Sequence, residues 1–404
     1  MNFDTIIIGG GPAGMTAAIH AARKGKKVCI LEHQNRVGKK ILSTGNGKCN
    51  LTNMEMKPHC FNSSSNEDFF SVIEKFGPNE IINFFNSMGM LTTDKNGYIY
   101  PRCEQAAVVL DTLRNELEHL NVEIFTDSIG IKAAKENDKF VINSNNQKLY
   151  SDKLILACGS KCAPKTGSDG SGYTLASNFG HKIIKVIPAL VQIICKEDYY
   201  KELQGIRCNA KLSLYSDKEL ISSESGELQL TSYGISGIPV FQMSRTIKRL
   251  IDRKLSPVIY IDFAPEYSDT EIKTFLQTNV NHYPKTQLVQ ILSGLLNKKL
   301  SNVIIKESNL KPSTICEETD FSDIERIVST IKQFHTIPKD TNGFDNAQVC
   351  AGGVELKDIN LNTMESKIIS GLYFAGEILD VDGRCGGYNL TWAFASGRLA
   401  GDNQ

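Results

Sequence analysis

Apolar residues open the chain as a short continuous run, Thr5 to Ile8. The run breaks into glycines and passes into an Ala-rich stretch. This order predicts a buried strand, a tight turn and a helix over about 12–24. Ala13, Ala17, Ala18 and Ala21 would form the helix face towards a sheet, and Gly25 stands where a helix stop is expected. A second apolar run, Val28 to Leu31, ends at Glu32, completing a β–α–β pattern over 4–32. The polar stretch 38–53 is too rich in Gly, Asn and Ser/Thr for a regular element. Helical spacing returns over 67–88 and 106–120, strand-like alternation follows over 121–145, and 154–159 reads as a buried strand ending in glycine. A polar loop then leads into a short helix at about 172–179.

The pattern changes between about 188 and 339. Alternation at 189–195, 210–216, 226–232 and 257–263 predicts a small antiparallel sheet. A basic amphipathic helix at about 237–254 interrupts it. The rest of this stretch is helical, with Ser268-x-x-Glu271 and Ser322-x-x-Glu325 expected as capping boxes. Glycine-rich chemistry then resumes. The expected organisation is a nucleotide-binding domain from 1–187 and 338–404, around an inserted β-rich part at 188–264 and a helical lid at 265–337.

The first turn carries Gly9-x-Gly11-x-x-Gly14, with Pro12 and Ala13 opening the helix. This spacing suits a dinucleotide. Gly9 permits the turn, Gly11 removes a side chain where backbone approaches a pyrophosphate, and Gly14 lets helix and strand pack closely. The helix start offers N–H groups and partial positive charge to phosphates. Glu32, at the second strand end, is placed to accept the hydroxyls of an adenosine ribose.

A second glycine-and-acid element, Gly371 to Glu377, lies near the other end of the sequence, with a helix start expected near Gly387, Asn389 and Leu390. That pairing favours flavin over nicotinamide. The acid of Gly376-Glu377, or its backbone, would meet the ribityl chain, and helix N–H groups would face the negative charge that gathers on a reduced isoalloxazine. Only one strand–glycine–helix–acid unit is present, so a nicotinamide donor would bind transiently. Cys158 and Cys162 are read as incidental thiols rather than a redox pair.

Lys+Arg and Asp+Glu are both 45, so net charge gives no global argument for nucleic acid or membrane as partner. The eleven scattered cysteines suggest free thiols in a reducing compartment. No run is long enough to span a bilayer, and the apolar start, with Asp4 and no basic residue before it, reads as the first strand of a cytoplasmic enzyme. No metal site is expected.

Several longer segments resemble the BaiN/YhiN-like FAD-dependent oxidoreductases, also described as the aminoacetone oxidase family. They are GGGPAGMTAA, GKKILSTGNGKCNLTN, YPRCEQAAVVLDTL, TGSDGSGY, LTSYGISG, AGGVELKDIN with TMESK, GLYFAGEILDVDG and GGYNLTWAFASG. The resemblance spans nearly the whole sequence. It implies an α/β protein with a Rossmann-like FAD-binding domain and an inserted β-rich and helical domain. It also implies that Ser43 to Asn50, including Gly45, and Gly386 to Leu390 run along the FAD, with Ile129 meeting adenine through its backbone. Lys40 and Gly159 complete the candidate cofactor residues. The sequence departs from the family in having Arg384-Cys385 where Pro-Thr is usual, Ile238 where Pro is usual, and Cys350 where Thr is usual.

The activity so implied is reduction of an activated C=C bond in a small molecule, with NAD(P)H as electron source. Cys49, Cys385 and Tyr388 are the candidate proton donors. The alternatives are an RNA-modifying flavoenzyme, using the helix of Arg245, Lys248, Arg249, Arg253 and Lys254 on phosphates, an amine oxidase, and a non-catalytic flavin-binding protein.

Overall fold

A computed structural model describes all 404 residues. The chain forms two compact units, 1–188 with 344–404, and 189–343.

The first unit is built on a parallel sheet. Strand β1 (Asn2–Ile8) leads through the glycine turn to helix α1 (Pro12–Arg23) and strand β2 (Val28–Leu31). β3 (Glu123–Phe125), β4 (Gln147–Leu156) and β5 (Leu372–Phe374) complete the parallel core, in the spatial order β5–β4–β1–β2–β3. Because β1 carries β2 on one side and β4 on the other, the chain reverses direction across the sheet there, which opens a crevice at the carboxyl ends of β1 and β4. β1, β2 and the end of β4 are buried on both faces, which is why they read as apolar runs rather than alternations. No helix is long and apolar enough to cross a membrane.

The closing helix α2 (Tyr388–Asp402) packs its backbone directly onto α1. A Cβ at Gly397 would lie 2.4 Å from the Ala13 carbonyl oxygen, and one at Gly401 2.4 Å from that of Ala17. The crossing therefore requires both glycines. Asp402 locks its end: His20 Nδ1 is 3.2 Å away, Arg398 Nε donates at 2.8 Å, and Lys24 Nζ lies at 3.6 Å. Burial opposes ionisation of Asp402, but the His20 hydrogen bond and the charges of His20, Arg398 and Lys24 outweigh it and bring the carboxyl down to about 2. A carboxyl depressed on folding adds stability above its unfolded value near pH 4, and that stability is lost as pH falls towards 2. Asp402→Asn should therefore cost about 2 kcal/mol at pH 7, a difference that disappears towards pH 2. Urea unfolding of both proteins across that range checks it.

Two expectations are corrected in detail. The apolar period over 67–88 is two helices, Phe70–Glu74 and Pro78–Ser87. Pro78 has no N–H to continue the first helix, and it instead opens the second, behind Gly77. The last inserted helix (Phe321–Lys332) is capped by Asp320, not Ser322. Asp320 Oδ1 accepts from Asp323 N at 2.8 Å, and Asp320 N donates back to Asp323 Oδ2 at 3.0 Å. A carboxylate two residues earlier wins the cap over the hydroxyl. The box of Ser268 and Glu271 forms as expected.

The second unit is a seven-stranded antiparallel sheet with four helices, Asp269–His282, Leu288–Leu292, Lys298–Glu307 and Phe321–Lys332, following its strand Val258–Asp262. Sheet residues Leu212, Leu214, Ile259 and Ile261 share one buried core with Ile272, Leu276, Ile304 and Ile327 from those helices. The basic helix is Ile238–Asp252, and its Lys248 is neutralised by Asp252 at 3.1 Å and Asp340 at 2.9 Å.

Candidate cofactor site

The glycine turn behaves as its spacing predicts, but each glycine answers to a different constraint. A Cβ at Gly14 would stand 1.9 Å from the Gly9 carbonyl oxygen, so Gly14 is required by packing. A Cβ at Gly11 would meet nothing within 4 Å. Gly11 has φ −78°, open to any residue, so neither packing nor backbone explains it. An absent side chain facing open space at a helix start fits the close approach of a pyrophosphate. Gly11 caps α1 without a side chain, and Pro12 occupies the first helical position, leaving the N–H groups of Ala13 and Gly14 for a ligand.

Glu32 is buried, and its carboxylate accepts from Gly10 N at 2.9 Å and Gln34 N at 2.8 Å. It thus has a structural role that the sequence did not reveal: it ties the end of β2 to the glycine turn. Each oxygen retains a lone pair for a ribose hydroxyl. Ser128 N donates to the Glu32 carbonyl at 2.9 Å, which brings the Ile129 turn beside this acid. Ile129 N is taken by Asn145 Oδ1 at 3.1 Å, so an adenine contact would use the Ile129 carbonyl.

The two glycine segments meet in space. A Cβ at Gly376 would lie 2.7 Å from Ala13 Cβ. Gly376 is held from α2, where Ser396 Oγ accepts its N–H at 2.8 Å and Trp392 Nε1 donates to its carbonyl at 3.1 Å. Gly159, at φ 71°, follows β4 on the other side of β1. The loop 43–53 is pinned to the start of α2: Thr52 Oγ1 and Thr391 Oγ1 are 2.7 Å apart, and Asn53 Nδ2 donates to the Gly386 carbonyl at 3.2 Å. Gly387 crosses directly over Thr52, with a Cβ there 2.7 Å from the Thr52 carbonyl carbon. Thr52, Asn53, Thr391, Trp392 and Ser396 were not singled out from sequence. Their signal was polar side chains on a helix and loop otherwise buried, which demands partners.

Within this frame the candidate residues separate by what their atoms do. Asn50 Oδ1 is buried without a hydrogen-bond partner, and so is Tyr173 Oη. Such orphaned polar atoms fit a polar ligand. Ser43 Oγ donates to the Lys40 carbonyl, and Gly45 takes the left-handed turn, φ 54°, within the loop. Asn389 spends its side chain on Gly383, accepting from its N–H and donating to its carbonyl, both at 2.8 Å. It therefore shapes the loop, and the N–H groups of Tyr388, Asn389 and Leu390 are the ones α2 offers, since Thr391 N already bonds Gly387. Lys40 and Glu377 bind each other, Nζ to Oε2 at 2.7 Å. The other Glu377 oxygen accepts from Cys350 N at 3.0 Å and from Cys162 Sγ at 3.2 Å, so both oxygens of this acid are engaged within the protein.

Of the candidate proton donors, Cys49 is fully buried at φ 57°, and burial pushes its thiol up to about 12. Tyr388 is also buried, edge-on to Phe61, with its hydroxyl shifted upwards by burial and by Cys60. Cys385 is partly exposed. Tyr98, 41% exposed, flanks the same loop, where a Cβ at Gly386 would stand 2.8 Å from it, and Met54, 42% exposed, follows Asn53, which bonds Gly386.

Comparison with known proteins gives the family of the chain. Residues 3–403 match the HI0933-like protein Rossmann domain. The chain is 42% identical over 398 residues to a 3-dehydro-bile acid delta(4,6)-reductase of Clostridium scindens, covering 98% of this chain and 97% of that one. It is 29% identical over 401 residues to the ribosomal RNA dihydrouridine synthase of Escherichia coli, covering 98% and 96%. With the Haemophilus influenzae ribosomal RNA dihydrouridine synthase it shares 30% identity over 402 residues, covering 97% and 96%.

Proposed function

This chain belongs to the HI0933-like Rossmann family and is an FAD-dependent oxidoreductase, and from that premise we propose that it reduces a C=C bond conjugated to a ketone in a steroid acid, with NAD(P)H as the electron source. The observation that carries this reading is the 42% identity to a bile-acid reductase over nearly the full length of both chains. Identity to the RNA-directed relatives is 29% and 30%. Partial neutralisation of the basic helix by Asp252 and Asp340 also weakens the case for phosphate binding.

Gly9 to Gly14, Glu32, Ser43 to Asn50, Gly376 and the start of α2 would hold FAD, which would supply a hydride when reduced. The protein's own residues do the rest. Tyr98 and Met54 offer apolar surface beside the Gly386 loop, suited to a steroid ring face. The α2 N-terminus gives positive dipole at that loop. Cys385, the candidate donor with access to solvent, is assigned proton delivery to the carbon next to the ketone. The family's usual Thr at this position carries a hydroxyl that can also donate a proton, so Cys385→Thr should keep activity, whereas Cys385→Ala should lower kcat roughly 10²-fold. Cys49→Ala should leave kcat within about twofold, because its thiol is shut away from substrate.

The test supplies FAD-loaded protein with NADH or NADPH, then a conjugated 3-oxo steroid acid or ribosomal RNA. Consumption of the steroid, with product two hydrogens heavier, is expected. Turnover with RNA and none with the steroid would reverse the assignment.

A further inference from the structure

The first unit contains a polar thiol cluster that the reduction reaction does not use. Cys162 Sγ, Cys350 Sγ and a Glu377 carboxylate oxygen all lie within 4.8 Å of one another. Lys40 Nζ stands 2.9 Å from Cys162 Sγ, Ser160 Oγ 3.2 Å, and Glu377 Oε1 3.2 Å. A structural cysteine sits among apolar groups and stays inert. These two sit instead among a cation, a carboxylate and a hydroxyl. The interaction between the two thiols raises Cys162 and lowers Cys350, so Cys162 keeps its proton and Cys350 is the readier to ionise. Ser160 and the Lys161 backbone also act to lower the Cys350 thiol.

We propose that Cys162 and Cys350 form a redox-active dithiol that a small hydroperoxide converts to a disulfide. Cys350 sulfur attacks the peroxide oxygen, so an S–O bond forms, the O–O bond breaks, and the alcohol leaves with the proton given up by that thiol. Cys162 sulfur then attacks the sulfenic sulfur. The S–S bond forms, the S–O bond breaks, and hydroxide leaves as water with the Cys162 proton. Two electrons pass from the thiols to the peroxide, which ends as alcohol and water.

The fold permits closure. Cys350 is fixed in the strand Val349–Val354, while Cys162 lies in an irregular turn before Pro164, beside Ala163 at φ 51°. The turn can carry Cys162 inward to the bond length of about 2.0 Å. Lys40 and Glu377, with side chains 22% and 18% exposed, give a small oxidant its way in. Closure withdraws the Cys162 proton from Glu377, the neighbour of Gly376, and so links oxidation to the cofactor turn. The same three ligand atoms would suit a soft divalent cation, but the ammonium of Lys40 already lies among them and would have to be expelled.

The test needs no flavin, so its failure is separate from failure of the functional reading. The reduced full-length protein is exposed to hydrogen peroxide, alkylated under denaturing conditions and mapped by mass spectrometry. A peptide joining Cys162 to Cys350, reopened by dithiothreitol, is expected. Cys350→Thr should abolish the link and slow oxidation of Cys162 at least tenfold. Both thiols remaining reduced, under conditions that oxidise the exposed Cys103, would overturn the proposal. So would one tightly held zinc ion that shields both from alkylation after incubation with Zn²⁺ alone.

Discussion

Replacing Gly11 by Ala yields a folded protein that no longer holds FAD well, whereas replacing Gly14 by Ala damages the fold itself. The contrast follows from what a methyl group would meet at each position. At Gly11 it enters open space from an ordinary backbone conformation. Stability should change by no more than about 0.5 kcal/mol. The methyl would instead occupy the approach to the pyrophosphate, and FAD affinity should fall about 100-fold, ~3 kcal/mol. At Gly14 it would stand 1.9 Å from the Gly9 carbonyl oxygen. Either β1 or α1 must move, at a cost of about 3 kcal/mol. Thermal unfolding without FAD and equilibrium FAD binding, measured on both variants, separate the two effects. Equal loss of stability in both would mean that Gly11 serves packing rather than the cofactor.

The second large effect is expected at Lys40. Its ammonium meets Glu377 at 2.7 Å with both side chains mostly buried. Burial alone would lower the lysine's proton affinity, but the Glu377 charge and the hydrogen bonds to Cys162 and Glu377 raise it overall, so Lys40 stays charged across the working pH range. Lys40→Met leaves the Glu377 carboxylate without its counter-charge and next to two thiols. The cost should be about 2–4 kcal/mol, between the exposed and fully buried cases. Glu377→Gln in the same background should recover at least about 1 kcal/mol, because the two residues act as a pair. Denaturant unfolding of the two single variants and the double variant completes the cycle. Simple additivity would show that the pair is not coupled.

Local elements were legible in the sequence where one residue type answers to one local demand. The glycine turn, its helix, Glu32 at the strand end and the Ser268 cap are of this kind. The apolar period hid the break before Pro78, because both helices bury the same spacing of residues and only the missing N–H separates them. The Ser322 box competed with a stronger acceptor, Asp320, and lost. Pairings across the sheet were not legible. Lys40 with Glu377, Thr52 with Thr391 and Cys162 with Cys350 are distant in sequence and are joined only once β4, the strand Val349–Val354 and α2 assemble around β1. Cys158 is close to Cys162 in sequence, but its Sγ donates to the Ile8 carbonyl at 3.3 Å. Similarly, Gly397 and Gly401 look like ordinary small residues until α1 lies against them.

All of these elements fit the proposed site, in which one FAD would lie between the glycine turn after β1 and the start of α2. The most direct measurement is an equilibrium titration of the purified wild-type protein, stripped of flavin, with FAD, followed by quenching of flavin fluorescence. Saturation at one FAD per chain, with the yellow complex surviving gel filtration, is the predicted result. A protein that stays colourless and leaves flavin fluorescence unchanged at every concentration would contradict the account.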